Sequence, residues 1–278
     1  MKTKKDQIMH TVVSGRTLDD QIDNIRKEGS HGTATTLRNH LLRGLGIYKD
    51  REKARNLVIF GCYLPFGLPW SLRSYLKLLD RLGLDYTFLE REICCGLPLV
   101  ETNHGPERER AVEAAQEFAE TKLSQAREAG AEKMVYFCHA CAYWAKRFLG
   151  NSGIEQVYYP DILLDAFGKE SLHVEPTTVG YYQGCHRRGQ GWAHGMHLNY
   201  PAYRKLLNSI QGLELIDLTH SVCCVEDTNG IIQEAENLKL DTILCSCSGC
   251  HTRISEAARG RLRMKYLPDL LLEALENS

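Results

Sequence analysis

The sequence predicts an α/β fold of two tandem, pseudo-symmetric modules, each a small parallel sheet flanked by helices with cysteine ligands at the C-terminal edge of its strands. Three observations predict it. Ten of the eleven cysteines form two copies of one pattern, a single Cys, a Cys-Cys pair and a Cys-x-x-Cys: Cys62, Cys94-Cys95 and Cys138/Cys141, then Cys185, Cys223-Cys224 and Cys247/Cys250. Short apolar runs alternate with longer segments rich in Ala, Glu, Lys and Leu, which is the rhythm of strand and helix in turn. Both halves also close alike, on Tyr159 to Phe167 and on Tyr266 to Leu275, each an amphipathic segment with a proline near its first turn.

Taken in order, residues 1–55 form an N-terminal extension that is rich in charge and holds no cysteine. A helix is expected over Leu18–Lys27 and a loop over Gly29–Thr36. The extension is read as a partner-docking arm or a mobile tail. The first module, 56–170, has expected strands at Leu57–Phe60, Tyr86–Leu89 and Met134–Phe137, with helices over Trp70–Arg81 and Arg108–Glu128. Gly168 to Thr178 mixes charge, Gly and Pro and reads as a linker. The second module, 176–278, repeats the strands at Val179–Tyr182, Leu213–Ile216 and Thr242–Leu244. Each cysteine group then lies at or just past the C-terminal end of a strand. In a parallel sheet with right-handed crossovers those ends share one edge, so five sulfurs converge on one crevice per module. The pair and the Cys-x-x-Cys are 42 residues apart in the first module and 22 in the second, and the extra length is expected in the long helix and its flanks.

Composition excludes several classes. A net charge of −1 offers no polycation to nucleic acid. The basic start Met1–Lys5 has no apolar run behind it, and Leu57–Trp70 is too short and too rich in proline to span a bilayer. A cytoplasmic protein is expected, and in a reducing compartment thiols spaced like these bind metal or do redox chemistry. Five thiols per module exceed the four of a tetrahedral zinc or a simple cubane. The adjacent pair requires a sharp turn if both sulfurs are to face one centre, because neighbours on a strand point to opposite faces. Gly96 and Pro98 supply that turn in the first module, whereas Val225 follows the second pair.

The pattern Cys…Cys-Cys-Gly…Cys-x-x-Cys, present twice over residues 56–278, resembles the cysteine-rich CCG domain family, nearest within it to the B subunit of heterodisulfide reductase. The resemblance implies two non-cubane [4Fe–4S] clusters. Cys62, Cys94, Cys95, Cys138 and Cys141 would hold one, and Cys185, Cys223, Cys224, Cys247 and Cys250 the other. It implies an oxidoreductase acting on a sulfur group, reducing or forming a disulfide. Related domains serve as iron–sulfur electron relays for flavin-dependent hydroxy-acid or succinate-type dehydrogenases. A mixed reading puts zinc in one module, and a zinc-stabilised interaction module is the remaining alternative.

Around the cysteines, the basic, glycine-rich loop His186–His197 carries Arg187 and Arg188 as candidate contacts for an anionic substrate and His194 as candidate proton donor. His139 and His251 are expected to hydrogen-bond near the sulfurs rather than ligate. Glu101, Glu226 and Asp227 are candidate proton donors or helix caps. Cys245 is read as a spare ligand or a buried core thiol. The chain shows neither a compact ferredoxin run of cysteines nor a glycine-rich nucleotide fingerprint. Electrons are therefore expected from partners, a ferredoxin-like iron–sulfur subunit and a flavin-containing subunit.

Overall fold

The computed structural model describes residues 17–31, 35–48, 52–167, 171–184, 200–220, 222–224 and 226–278. Each half builds a four-stranded, wholly parallel sheet. The first contains β1 (Asn56–Ile59), β2 (Tyr86–Phe88), β3 (Lys133–Tyr136) and β4 (Glu155–Tyr158) in the order β2-β1-β3-β4. The second contains β5 (His173–Tyr182), β6 (Gln211–Asp217), β7 (Thr242–Cys245) and β8 (Arg263–Tyr266) in the order β6-β5-β7-β8. The two orders are the same permutation. In both sheets the order reverses beside the first strand, where β1 meets β3 and β5 meets β7. In open parallel sheets such a reversal opens a crevice at the C-terminal strand ends.

The central strands are apolar on both faces, as burial under helices requires: Leu57, Val58 and Ile59 in β1, and Ile243 and Leu244 in β7, are fully buried. The helices are α1 (Leu18–Glu28), α2 (Thr35–Gly44), α3 (Leu64–Gly67), α4 (Pro69–Arg81), α5 (Leu97–Thr102), α6 (Gly105–Glu128), α7 (His139–Leu149), α8 (Tyr159–Phe167), α9 (Tyr200–Asn208), α10 (Thr228–Asn237), α11 (Ser248–Ala258) and α12 (Leu267–Glu276). The unequal spacing of the two modules has a plain origin. Between pair and Cys-x-x-Cys the first module carries α5 and the 24-residue α6, where the second carries only the 10-residue α10.

The chain packs as two compact units, one comprising the described residues up to Pro69 with Leu84–Tyr158, the other Trp70–Gly83 with Tyr159–Ser278. Packing and chain order therefore part at α4 and α8, which belong to the second unit. In that unit the Tyr75 ring of α4 stands edge-on to Tyr159 and Tyr266, with centroids 4.6 and 5.7 Å away. Ser71 Oγ donates to Asp269 Oδ2 at 2.8 Å.

The described part of the N-terminal extension is built into the first unit. Thr17 and Asp20 form a capping box that starts α1, and Leu18, Ile22 and Ile25 are buried. Arg26 pairs with Glu117 of α6 at 2.6 Å. Among the described residues no helix is long and apolar enough to cross a membrane.

Candidate metal centres

Both sheets present their cysteines at the same offsets. Ile59 to Cys62, Phe88 to Cys94 and Tyr136 to Cys138 are steps of three, six and two residues beyond a strand end. Tyr182 to Cys185, Asp217 to Cys223 and Cys245 to Cys247 are again three, six and two. The Cys-x-x-Cys opens a helix in each case. Cys138 is the N-cap of α7 and Cys247 the N-cap of α11, and neither side chain caps a backbone N–H. Each helix thus starts at a cysteine, so its N-terminal end lies at the sulfur side of the sheet, where the helix dipole favours negative charge.

In the first module the ligand loops are fixed from below. The Glu92 carboxylate accepts the N–H of Phe60 at 2.9 Å and of Gly61 at 2.7 Å, the two residues before Cys62. Glu92 is itself ion-paired to Arg38 of α2 at 3.3 Å, with both side chains 3% exposed. Arg38 also donates to the carbonyls of Leu89 and Glu90. The Cys94 amide donates to the Gly29 carbonyl at 2.6 Å, so the end of α1 pins the Cys-Cys turn. That turn is completed by Gly96 at φ +76°, which caps α5 with Pro98 in its first turn.

The sulfurs form one connected chain. Cys62 and Cys94 stand 3.6 Å apart, and hydrogen bonding links the free thiols of Cys94 to Cys95, Cys95 to Cys141 and Cys141 to Cys138. Hydrogen bonds from Cys141 and Cys94 hold the Cys95 thiol well below its ordinary pKa, against the opposing effect of burial. Cys94 and Cys141 are pushed well above it, first by sulfur hydrogen bonding, to Cys62 and Cys138 respectively, and then by burial. Gly61 is required here: a Cβ on it would lie 2.8 Å from Cys138 Cβ and 3.5 Å from the sulfurs of Cys138 and Cys141.

In the second module Cys223, Cys224, Cys250 and Cys247 are linked in the same way, Cys224 to Cys223 and to Cys250, and Cys250 to Cys247. The turn after this pair is closed by the Cys223 carbonyl, which accepts the amides of Glu226 at 2.9 Å and Asp227 at 3.1 Å. Tyr182 OH anchors the preceding Val222 carbonyl at 2.6 Å. Asp227 caps α10 by accepting from Gly230 N at 2.9 Å and also meets His220 Nε2 at 2.9 Å. Cys245 lies at the end of β7 with its thiol against the Cys247 carbonyl, and burial pushes its pKa well up. Cys185, Arg187, Arg188 and His194 lie outside the described residues, as does Val225.

The flanking histidines pack on aromatic rings. His139 is buried edge-on to Tyr158 at 5.4 Å, and His251 lies tilted against Tyr266 at 5.8 Å. Among the described residues no three His, Cys, Asp or Glu side chains are set to hold a single metal ion. The donor set is nonetheless all sulfur, mostly buried and backed by helix N-termini, which is the environment that iron–sulfur clusters take.

Residues 57–146 match the family model of CCG, the cysteine-rich domain. The match falls within the first module. Curated relatives that align beyond this CCG domain include the D subunit of the dihydromethanophenazine:CoB–CoM heterodisulfide reductase of Methanosarcina barkeri, 22% identical over 258 residues, 82% of this chain and 60% of the relative. The B subunit of the fumarate reductase (CoM/CoB) of Methanothermobacter marburgensis is 23% identical over 215 residues, 71% of this chain and 41% of the relative. The C subunit of the anaerobic glycerol-3-phosphate dehydrogenase of Escherichia coli K12 is 23% identical over 274 residues, 84% of this chain and 62% of the relative. All three relatives are subunits of oxidoreductases, and the chain spans between 41% and 62% of their lengths. Among solved structures, an aspartate racemase homologue from Pyrococcus horikoshii aligns over 80% of this chain and 98% of its own, with a TM-score of 0.36 and 10% identity, a likeness that carries no argument.

Proposed function

We propose that the chain is the heterodisulfide-reductase-like iron–sulfur subunit of an oxidoreductase complex, reducing a disulfide to two thiols or forming it from them. Cys62, Cys94, Cys95, Cys138 and Cys141 hold one non-cubane [4Fe–4S] cluster. Cys185, Cys223, Cys224, Cys247 and Cys250 hold the second. The observation that supports this best is the connected chain of sulfurs at the C-terminal edge of the first sheet, matched by four linked sulfurs at the same offsets in the second. The CCG match and the heterodisulfide reductase relative favour the same reading.

When bound, such clusters supply single electrons and an iron able to take a sulfur of the substrate. The chain's own residues do the remaining work. Breaking one S–S bond consumes two electrons and two protons and yields two S–H groups. Arg187 and Arg188, three residues at most beyond Cys185, hold an anionic disulfide, and His194 delivers a proton to the departing sulfur. The electrons come from a ferredoxin-like iron–sulfur subunit and a flavin-containing subunit, and the complex works in the cytoplasm. A second reading, an electron relay for a flavin-dependent dehydrogenase, is favoured by the glycerol-3-phosphate dehydrogenase and fumarate reductase relatives.

Anaerobic purification followed by iron, sulfide and zinc analysis tests the cofactor. About eight irons per chain are expected, four in each of two clusters, and a zinc-loaded, iron-poor protein overturns the proposal. Mixing the chemically reduced protein alone with a panel of disulfides tests the reaction. Release of two thiols per disulfide supports reduction at this chain, and failure throughout, with dehydrogenase activity in co-purifying subunits, supports the relay.

A further inference from the structure

Lys122 lies on α6, 3% exposed, at a position where a helix facing a sheet is expected to be apolar. Ala111, Ala115, Phe118, Ala119 and Ala126 occupy the rest of that stripe. Lys122 lines one small cavity with Cys95, Tyr136, Cys141 and Trp144. Burying an ammonium is costly unless opposite charge compensates it. The sulfurs of Cys95 and Cys141, which share that cavity, are where such compensation is to be found.

The second unit has no counterpart among its described residues. Its buried polar side chains, Ser71, Thr242, Ser246, Ser248 and Thr252, are all uncharged. On α10 the buried positions are Ile231, Ile232 and Ala235. Among its described residues the buried charges of the first unit are Arg38, Glu92 and Lys122. The first two pair with each other, so Lys122 is an uncompensated positive charge until the sulfur centre supplies the negative one.

We propose that Lys122 is a fixed counter-charge of the first centre, so that a cluster there takes up an electron at a higher potential than one in the second module. A nearby cation in a medium of low dielectric stabilises the more negative, reduced state. The first centre then fills first, and an electron waits there for its partner. Lys122 acts as a positioning charge, through the cluster rather than on substrate. This rests on the iron–sulfur reading above.

The test is a reductive titration of the anaerobically purified holoprotein, followed by electron paramagnetic resonance. The native protein is expected to show two separate steps. In Lys122→Met the upper step moves towards the lower, and in Lys122→Arg it returns to its native place. An unchanged upper step in a fully iron-loaded Lys122→Met protein overturns the inference. A second measurement leaves Lys122 in place: with Cys247→Ser and Cys250→Ser removing the second centre, the surviving step must be the upper one. If the lower step survives, the inference fails. Iron analysis of the same samples separates the two failures, because absent iron sinks the cofactor reading and this inference together, whereas full iron with unmoved or inverted steps sinks only the latter.

Discussion

Glu92 Oε1 accepts the backbone N–H of Gly61 at 2.7 Å, one residue before Cys62. A side chain with 3% exposure thereby anchors a ligand loop through the main chain, and Arg38 pairs with it at 3.3 Å. Removing one partner of a buried pair leaves the other charge without compensation, which costs about 3–5 kcal/mol. Arg38→Met is expected to lose that much in anaerobic denaturant unfolding and to release iron from the first centre. The double variant Arg38→Met/Glu92→Leu should regain part of the stability but not the loop anchor, and hence not the iron.

Gly61 and Gly153 share a backbone φ of +81°, yet only Gly61 is crowded. Alanine at either position carries similar backbone strain, about 1–3 kcal/mol. At Gly61 the added Cβ also meets Cys138 at 2.8 Å, whereas at Gly153 it meets nothing within 4 Å. Gly61→Ala is expected to lower iron per chain to roughly that of a single cluster. Gly153→Ala is expected to keep all of it. Equal iron in the two variants would show that the Cys138 contact has no bearing on the centre.

Cys245 differs from its neighbours in what its sulfur touches. Its thiol lies 3.6 Å from the Cys247 carbonyl, whereas the Cys250 thiol is hydrogen-bonded to the sulfurs of Cys224 and Cys247. Cys245→Ala should therefore keep its iron and lose about 1 kcal/mol of stability. Cys250→Ser should lose the second centre. Iron and sulfide analysis of both variants decides the matter.

Tyr75 fills the space between Tyr159 and Tyr266 and is 1% exposed. Truncation to alanine is expected to cost about 3–5 kcal/mol. Thermal unfolding of the anaerobic holoprotein would show it as a lowered transition.

The parts of the fold that carry apolar runs were legible in the sequence. All six expected strands form, and the helices over Trp70–Arg81 and Arg108–Glu128 are found as α4 and α6, within three residues at each end. The fourth strand of each sheet was missed. Glu155-Gln-Val-Tyr158 and Arg263-Met-Lys-Tyr266 sit at sheet edges, where one flank meets solvent and the apolar signal fades. The cysteine groups could be placed at strand ends because their spacing repeats. Arg38, Glu92 and Lys122 could not be found that way, since a charged residue in a charged helix or loop reads as surface. Lys122 did leave a trace, falling at helical spacing on the stripe of Ala111, Ala115, Phe118 and Ala126. The departure of α4 from its own module leaves no mark in local sequence, which shows an amphipathic helix but not the sheet it packs with.

That departure sets a limit on how the polypeptide can be taken apart. A fragment beginning at the linker would carry all four strands of the later sheet but lack the wall supplied by Trp70–Gly83, and Tyr159–Phe167 with it, exposing the ring of Tyr266. During synthesis that wall leaves the ribosome roughly ninety residues before β5, the first strand of the sheet it will cover. The halves of the sequence are therefore not separable pieces, and a split gene would have to return both missing helices in trans.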